Sequence, residues 1–111
     1  MNINDLIIKT NLIPITEVFN AENEISGAYT SDLLSDVIAN TKKDNVWITM
    51  QTHINIVAVA SLKELSLIII VMNKNLDKDA FEKAMSEKIN IFKTDKTAFQ
   101  ISGLLYELGI R

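Results

Sequence analysis

The residues best suited to chemistry crowd between positions 49 and 53, where Thr49, Gln51, Thr52 and His53 place two hydroxyls, one carboxamide and the single imidazole of the chain. An imidazole titrates near neutrality, so His53 could donate to a phosphate or act as a general base. Thr49, Gln51 and Thr52 could line a pocket, because ligands of open α/β sheets bind beyond the carboxyl ends of strands. A plainer reading stays open beside this one. Thr49 and Gln51 could occupy the polar face of a strand, Thr52 could cap the next helix, and His53 could be an exposed residue at its start. Ser31 and Asn73 could approach the same place from neighbouring strand ends. If a ligand sits there, the start of the following helix offers free N–H groups and a partial positive charge to an anion.

Other chemistries are missing their parts. A phosphate-cradling loop needs Gly-x-x-x-x-Gly-Lys-Ser/Thr, and Gly27, Gly103 and Gly109 build nothing like it. With no cysteine there is no thiolate for zinc, iron–sulfur clusters or nucleophilic catalysis, and no disulfide. One histidine cannot build a multi-histidine metal site. Asn73, Asn75, Asp77 and Asp79 alternate like the first ligands of a calcium loop, but Lys78 stands where its glycine belongs and Ala84 where its bidentate glutamate belongs. Asp32 and Asp36 lie one helical turn apart and read as a solvated helix face. Trp47 and Tyr29 read as core or interface residues rather than base-stacking platforms. No catalytic residue, metal or cofactor is expected, and the chain is read as not an enzyme.

The elements that position these residues follow from periodicity. Asn4 or Asp5 is expected to cap a first helix, and Ile15 to Phe19, after Pro14, alternates as a strand does. Ile25 to Tyr29 is a second extended piece, with a close backbone approach at Gly27. A helix runs to about Asn40 with Leu33, Leu34, Val37 and Ile38 as its stripe, and a strand follows over Val46–Gln51. Ile54 to Leu65 fits both periods and is assigned to a helix. The run Leu67 to Val71 is a strand covered on both faces, as in a parallel sheet. Asp77 caps a helix to about Lys88 whose inner stripe is Ala80, Phe81, Ala84 and Met85. Ile89 to Phe92 is a strand, and Thr94 or Asp95 caps a last helix closed by Gly109. Gly103, in mid-helix, is expected to mark close packing. Alternating helices and strands give an α/β layered domain with a mainly parallel sheet flanked by helices.

The 111 residues allow one domain, with 48% apolar and 23% charged residues in an ordinary globular balance. The net charge of −3 and scattered lysines provide no basic stripe for nucleic acid. The run Leu65–Met72 is far short of the roughly 20 residues of a spanning helix, and Met1 to Thr10 lacks the basic and apolar regions of a signal peptide. A cytoplasmic protein with no membrane or nucleic-acid partner is expected.

Three stretches together resemble the DRTGG domain: Gly27-Ala28-Tyr29-Thr30-Ser31-Asp32-Leu33-Leu34-Ser35-Asp36, Trp47-Ile48-Thr49-Met50-Gln51-Thr52-His53, and Val57-Ala58-Val59-Ala60. The likeness spans 1–111 as one domain and is strongest over 27–109. The signature itself is absent, since Gln51-Thr52-His53 stands about where its Asp-Arg belongs and no double glycine occurs. The resemblance implies the fold of the N-terminal domain of HPr kinase/phosphorylase and a regulatory role like that of domains beside paired CBS domains in some pyrophosphatases. It further implies a homodimer. Stand-alone members with this Trp-Ile-Thr-x-Gln-Thr-His run resemble small proteins encoded near iron-only hydrogenases. The expectation is therefore a non-catalytic regulatory or accessory domain sensing a small anionic, nucleotide-like or phosphorylated ligand. The alternative is a protein-interaction module without ligand, associated with such a hydrogenase or another redox enzyme.

Overall fold

A computed structural model of the chain describes residues 1–111. Its strands are β1 (Ile13–Pro14), β2 (Gly27–Thr30), β3 (Asn45–Thr49), β4 (Leu67–Ile70) and β5 (Ile91–Lys93). Its helices are α1 (Ile3–Thr10), α2 (Leu34–Asn40), α3 (Asn55–Lys63), α4 (Lys78–Glu87) and α5 (Ala98–Glu107). The strands form one sheet in the order β1-β5-β4-β3-β2, parallel except for β1, which pairs antiparallel with β5. The α/β layered fold with a mainly parallel sheet is the one expected from the sequence.

The topology explains the layering. From β2 to β5 the chain makes three successive strand–helix–strand crossovers, each stepping to the next position in the sheet. Right-handed crossovers that all step the same way put their helices on one face. There Val37 of α2, Ile56, Val57 and Ala60 of α3, and Ala80 and Ala84 of α4 pack on Trp47, Ile68, Ile70 and Ile91. The other face would be bare without the chain ends. Ile3 and Leu6 of α1 and Ile101 and Leu105 of α5 cover it, meeting Val46, Ile48, Leu67, Ile69 and Phe92. Because both faces are covered, β3 and β4 are buried at every position, and the alternation read in Val46–Gln51 carries no exposed face within β3.

Several boundaries move for identifiable reasons. Asn2, not Asn4 or Asp5, caps α1, and Asp5 returns the bond to complete a capping box. Thr97, not Thr94 or Asp95, caps α5, in a box with Gln100. Ile15 to Phe19 is not a strand: β1 ends at Pro14, and Phe19 is tied instead to the Asn90 side chain. In α2 only Val37 is buried, while Leu33 and Ile38 are exposed, so the expected stripe is narrower than its spacing suggests. Phe81 likewise sits at the rim of the α4 stripe rather than inside it. Gly27 does lie at a close approach, since a Cβ there would stand 3.2 Å from the Arg111 carbonyl oxygen. Gly103 does not: nothing lies within 4 Å of its absent side chain.

Candidate functional site

The four parallel strands present their carboxyl ends on one side of the molecule, and the turns after them carry most of the residues singled out above. After β2, the backbone enters α2 through Ser31, Asp32 and Leu33. Asp32 reaches across to the end of β3, where its Oδ1 accepts from the Thr49 hydroxyl at 2.8 Å and from the Met50 N–H at 2.7 Å. Gln51 closes the set: its N–H donates to Thr49 Oγ1 at 3.1 Å and its side-chain Nε2 to the Asp32 carbonyl at 3.0 Å. A carboxylate engaged by a backbone N–H and a hydroxyl pins two adjacent strand ends together.

A second set lies at the next junction. Asp77, just before α4, accepts at Oδ1 from the Thr52 hydroxyl, 3.3 Å away, and its Oδ2 lies 3.0 Å from His53 Nδ1. The Asp77 N–H donates to the Thr52 carbonyl at 3.2 Å. Asp77 therefore does not spend its side chain on capping α4, and Thr52 does not cap α3, which begins only at Asn55 after an uncapped Ile54. The His53 side chain is exposed, and Nε2 makes no hydrogen bond within the chain. A carboxylate and an imidazole stand paired as in a proton relay, but the one hydroxyl in the set, Thr52, bonds the carboxylate and none bonds the far nitrogen of the imidazole.

Of the six residues named from sequence, the structure joins Thr49 with Gln51, and Thr52 with His53, each pair through an aspartate. Ser31 stands beside the first set. Its hydroxyl accepts from the Leu33 N–H at 3.2 Å, and its carbonyl accepts from the Trp47 indole at 2.8 Å. Asn73 is held apart. It lines a separate cavity of about 420 Å³ with Asn11, Ile13, Thr94 and Lys96. There Met72 and Asn73 both adopt left-handed backbone, φ 60° and 54°, fixed by N–H bonds to the Lys96 and Thr94 carbonyls. Consecutive left-handed residues other than glycine are costly, and spacing arguments cannot foresee them.

Of the two residues that organise these sets, the sequence presents Asp32 as a helix-face charge and Asp77 as a helix cap or a weak calcium-loop position. The available signal was a carboxylate directly after one strand and directly before a helix that flanks another. Using it requires the strand order.

Beside this surface, Asp36 forms a third cluster. Its Oδ1 accepts from the Tyr29 hydroxyl and the Asn40 amide, both at 2.8 Å. The Ser31 hydroxyl and then Tyr29 hold the Asp36 carboxyl below the usual range, while bonding to Asp36, then burial, raises the Tyr29 phenol.

No protein-family model matches the sequence, and no curated protein matches it. The structure is similar to a crystal structure of the CBS and DRTGG domains of the regulatory region of Clostridium perfringens pyrophosphatase, complexed with the activator diadenosine tetraphosphate. The TM-score is 0.74 at 15% identity, over 94% of this chain and 45% of that one, so this chain spans less than half the length of its neighbour. At that identity the likeness speaks for the fold alone: this chain shares the α/β fold of part of that CBS and DRTGG region, with its mainly parallel sheet between two helical layers.

Proposed function

We propose that this chain is a non-catalytic regulatory domain that senses a nucleotide-like ligand at the carboxyl ends of β2, β3 and β4 and works as a homodimer in the cytoplasm. The observation that carries the reading is its fold, shared with a regulatory region whose crystal structure holds a dinucleotide activator. The chemistry of the strand ends supports it. Gln51 and His53 keep polar atoms for a ligand, beside the Asp32 and Asp77 carboxylates as acceptors, while Thr49, buried and bonded to Asp32, and Thr52, bonded to Asp77, hold those carboxylates in place. Carboxylates repel a bare phosphate but accept from ribose hydroxyls and exocyclic amines, so this surface suits the nucleoside half of a ligand. Ser31 flanks it as an outer contact, whereas Asn73, in its separate cavity, takes no part. The test is thermal unfolding with ATP, AMP or diadenosine tetraphosphate, since a ligand at about 100 times its Kd stabilises the folded state by about 2.7 kcal/mol. Thr52→Ala and His53→Ala should abolish most of that gain. No stabilisation by any of the three would overturn the sensing role.

A second reading has its own observation. Leu33, Met50, Ile54, Met72 and Phe99 are exposed apolar residues, and all lie at the carboxyl end of the parallel strands. Such a patch supports a protein-interaction module without ligand, serving an iron-only hydrogenase or another redox enzyme. Sedimentation equilibrium separates self-association, near twice 12.5 kDa, from a surface kept for another protein.

A further inference from the structure

Beyond the ends of β2, β3 and β4, the sheet face beneath α4 runs out at the carboxyl end of β5 in an unexpected side chain. Trp47, Ile68, Ile70 and Ile91 form a fully buried apolar floor on this face. Two residues beyond Ile91 on the same face of β5, the next position is Lys93. It lines a groove of about 400 Å³ between the β1–β5 edge and α4, together with Pro14, Ile15, Leu76, Phe81 and a second lysine, Lys78. The molecule's four ion pairs involve other cations, so both ammonium groups in this groove are without a carboxylate partner. Phe81 leaves part of its ring open to the groove, and Asn75 adds one carboxamide at the rim.

An apolar wall with an aromatic face, a few convergent polar groups and a volume of several hundred Å³ has the make-up of a small-molecule site. Two unpaired lysines fix the sign of its occupant, because an anion there gains both charges while its body covers Phe81 and Leu76. The geometry points to a second binding site in this groove, for a small flat aromatic molecule bearing a phosphate or carboxylate. Its lining shares no residue with the surface at the ends of β2, β3 and β4. Along Asn75–Lys78, Asn75, Leu76 and Lys78 line the groove, and Asp77 alone turns toward Thr52 and His53.

The probe is 1-naphthyl phosphate, titrated into the ¹⁵N-labelled chain and followed by amide shifts. Saturable shifts are expected at Ile15, Lys78, Phe81 and Lys93, with inorganic phosphate and 1-naphthol each binding at least about tenfold more weakly. The double variant Lys78→Gln with Lys93→Gln should weaken the probe about tenfold, as loss of two partly screened charge contacts should. Phe81→Leu, which keeps an apolar wall but removes the ring, should weaken it less. Thr52→Ala should leave its affinity unchanged, which separates failure of this site from failure of the strand-end reading. Shifts confined to Met50–His53, unchanged affinity in the double lysine variant, or no saturable shift at millimolar probe would each overturn the assignment.

Discussion

His53 Nδ1 lies 3.0 Å from Asp77 Oδ2, and this contact ties the turn after β3 to the start of α4. The pair is open to water, with the His53 side chain 67% exposed and that of Asp77 43%. Solvent-exposed ion pairs contribute roughly 0–1 kcal/mol, so its value lies in placing two side chains rather than in holding the fold.

Asp77→Ala should therefore cost about 1 kcal/mol or less in urea unfolding, because the Asp77 N–H bond to the Thr52 carbonyl survives the change. The larger effect should be local. Thr52 and His53 lose their common acceptor, and ¹⁵N relaxation should show greater mobility over Gln51–Ile54. A loss above about 3 kcal/mol would instead mark Asp77 as part of a buried polar network.

The Tyr29–Asp36 hydrogen bond should make stability depend on pH at both extremes. Asp36 is held below the usual carboxylate range, chiefly by the Ser31 hydroxyl and next by Tyr29. Its contribution is present above the ordinary carboxylate pKa and fades as pH falls through the lowered value. Tyr29 is raised, first by its bond to Asp36. That contribution is complete below the ordinary tyrosine pKa of about 10 and fades as pH rises through the raised value. The stability difference between the wild type and Tyr29→Phe should thus be level through neutrality and shrink at either end. A difference that stays constant into strong acid would disprove the link, as would an Asp36 carboxyl whose NMR titration does not rise in Tyr29→Phe.

Much of this fold is visible in one-dimensional pattern. Leu67–Val71 reads as a strand covered on both faces because it has no polar alternation, and the structure buries each residue of β4. Ala80 and Ala84 lie inward at the expected helical spacing. Local capping was harder to place, since Asn2, Asn4 and Asp5 are all competent caps, and the outcome depends on which residue reaches its N3 partner. The site was legible only in part. Thr49, Gln51, Thr52 and His53 stand out by type, but their arrangement is imposed by Asp32, after β2, and Asp77, before α4. Those contacts span 17 and 25 positions, beyond any local periodicity.

Trp47 should be the most sensitive single position. Its side chain is fully buried on the α2–α3 face, and its indole N–H donates to the Ser31 carbonyl at 2.8 Å. Trp47→Ala should cost about 3–5 kcal/mol. Trp47→Phe should cost less, keeping most of the apolar contact and losing the donor. As the only tryptophan, it should emit in the blue-shifted range of a buried indole and resist iodide quenching until the chain unfolds. Quenching of the native protein as efficient as that of a free peptide would contradict the packing.

The two glycines outside the C-terminal turn should respond to alanine with opposite signs. At Gly27 a Cβ meets the Arg111 carbonyl oxygen and the Asn45 side-chain Nδ2, each at 3.2 Å, and Asn45 is itself bonded to Ser26. Backbone and bonded amide cannot both yield freely, so Gly27→Ala should lose about 1–2 kcal/mol. At Gly103 a Cβ meets nothing, and the residue lies inside α5. Gly103→Ala should gain about 1 kcal/mol from helix propensity alone. The same substitution also reports on self-association. Phe99, Gly103 and Tyr106 fall at i, i+4 and i+7 on α5, and Phe99 is 88% exposed. If a second copy packs closely on this stripe, the missing Cβ matters only in the dimer. Urea unfolding of Gly103→Ala at low and high protein concentration should then show a gain that shrinks or reverses as the dimer forms. A gain that is the same at both concentrations, with dimer present at the higher one, would place the dimer contact on another face.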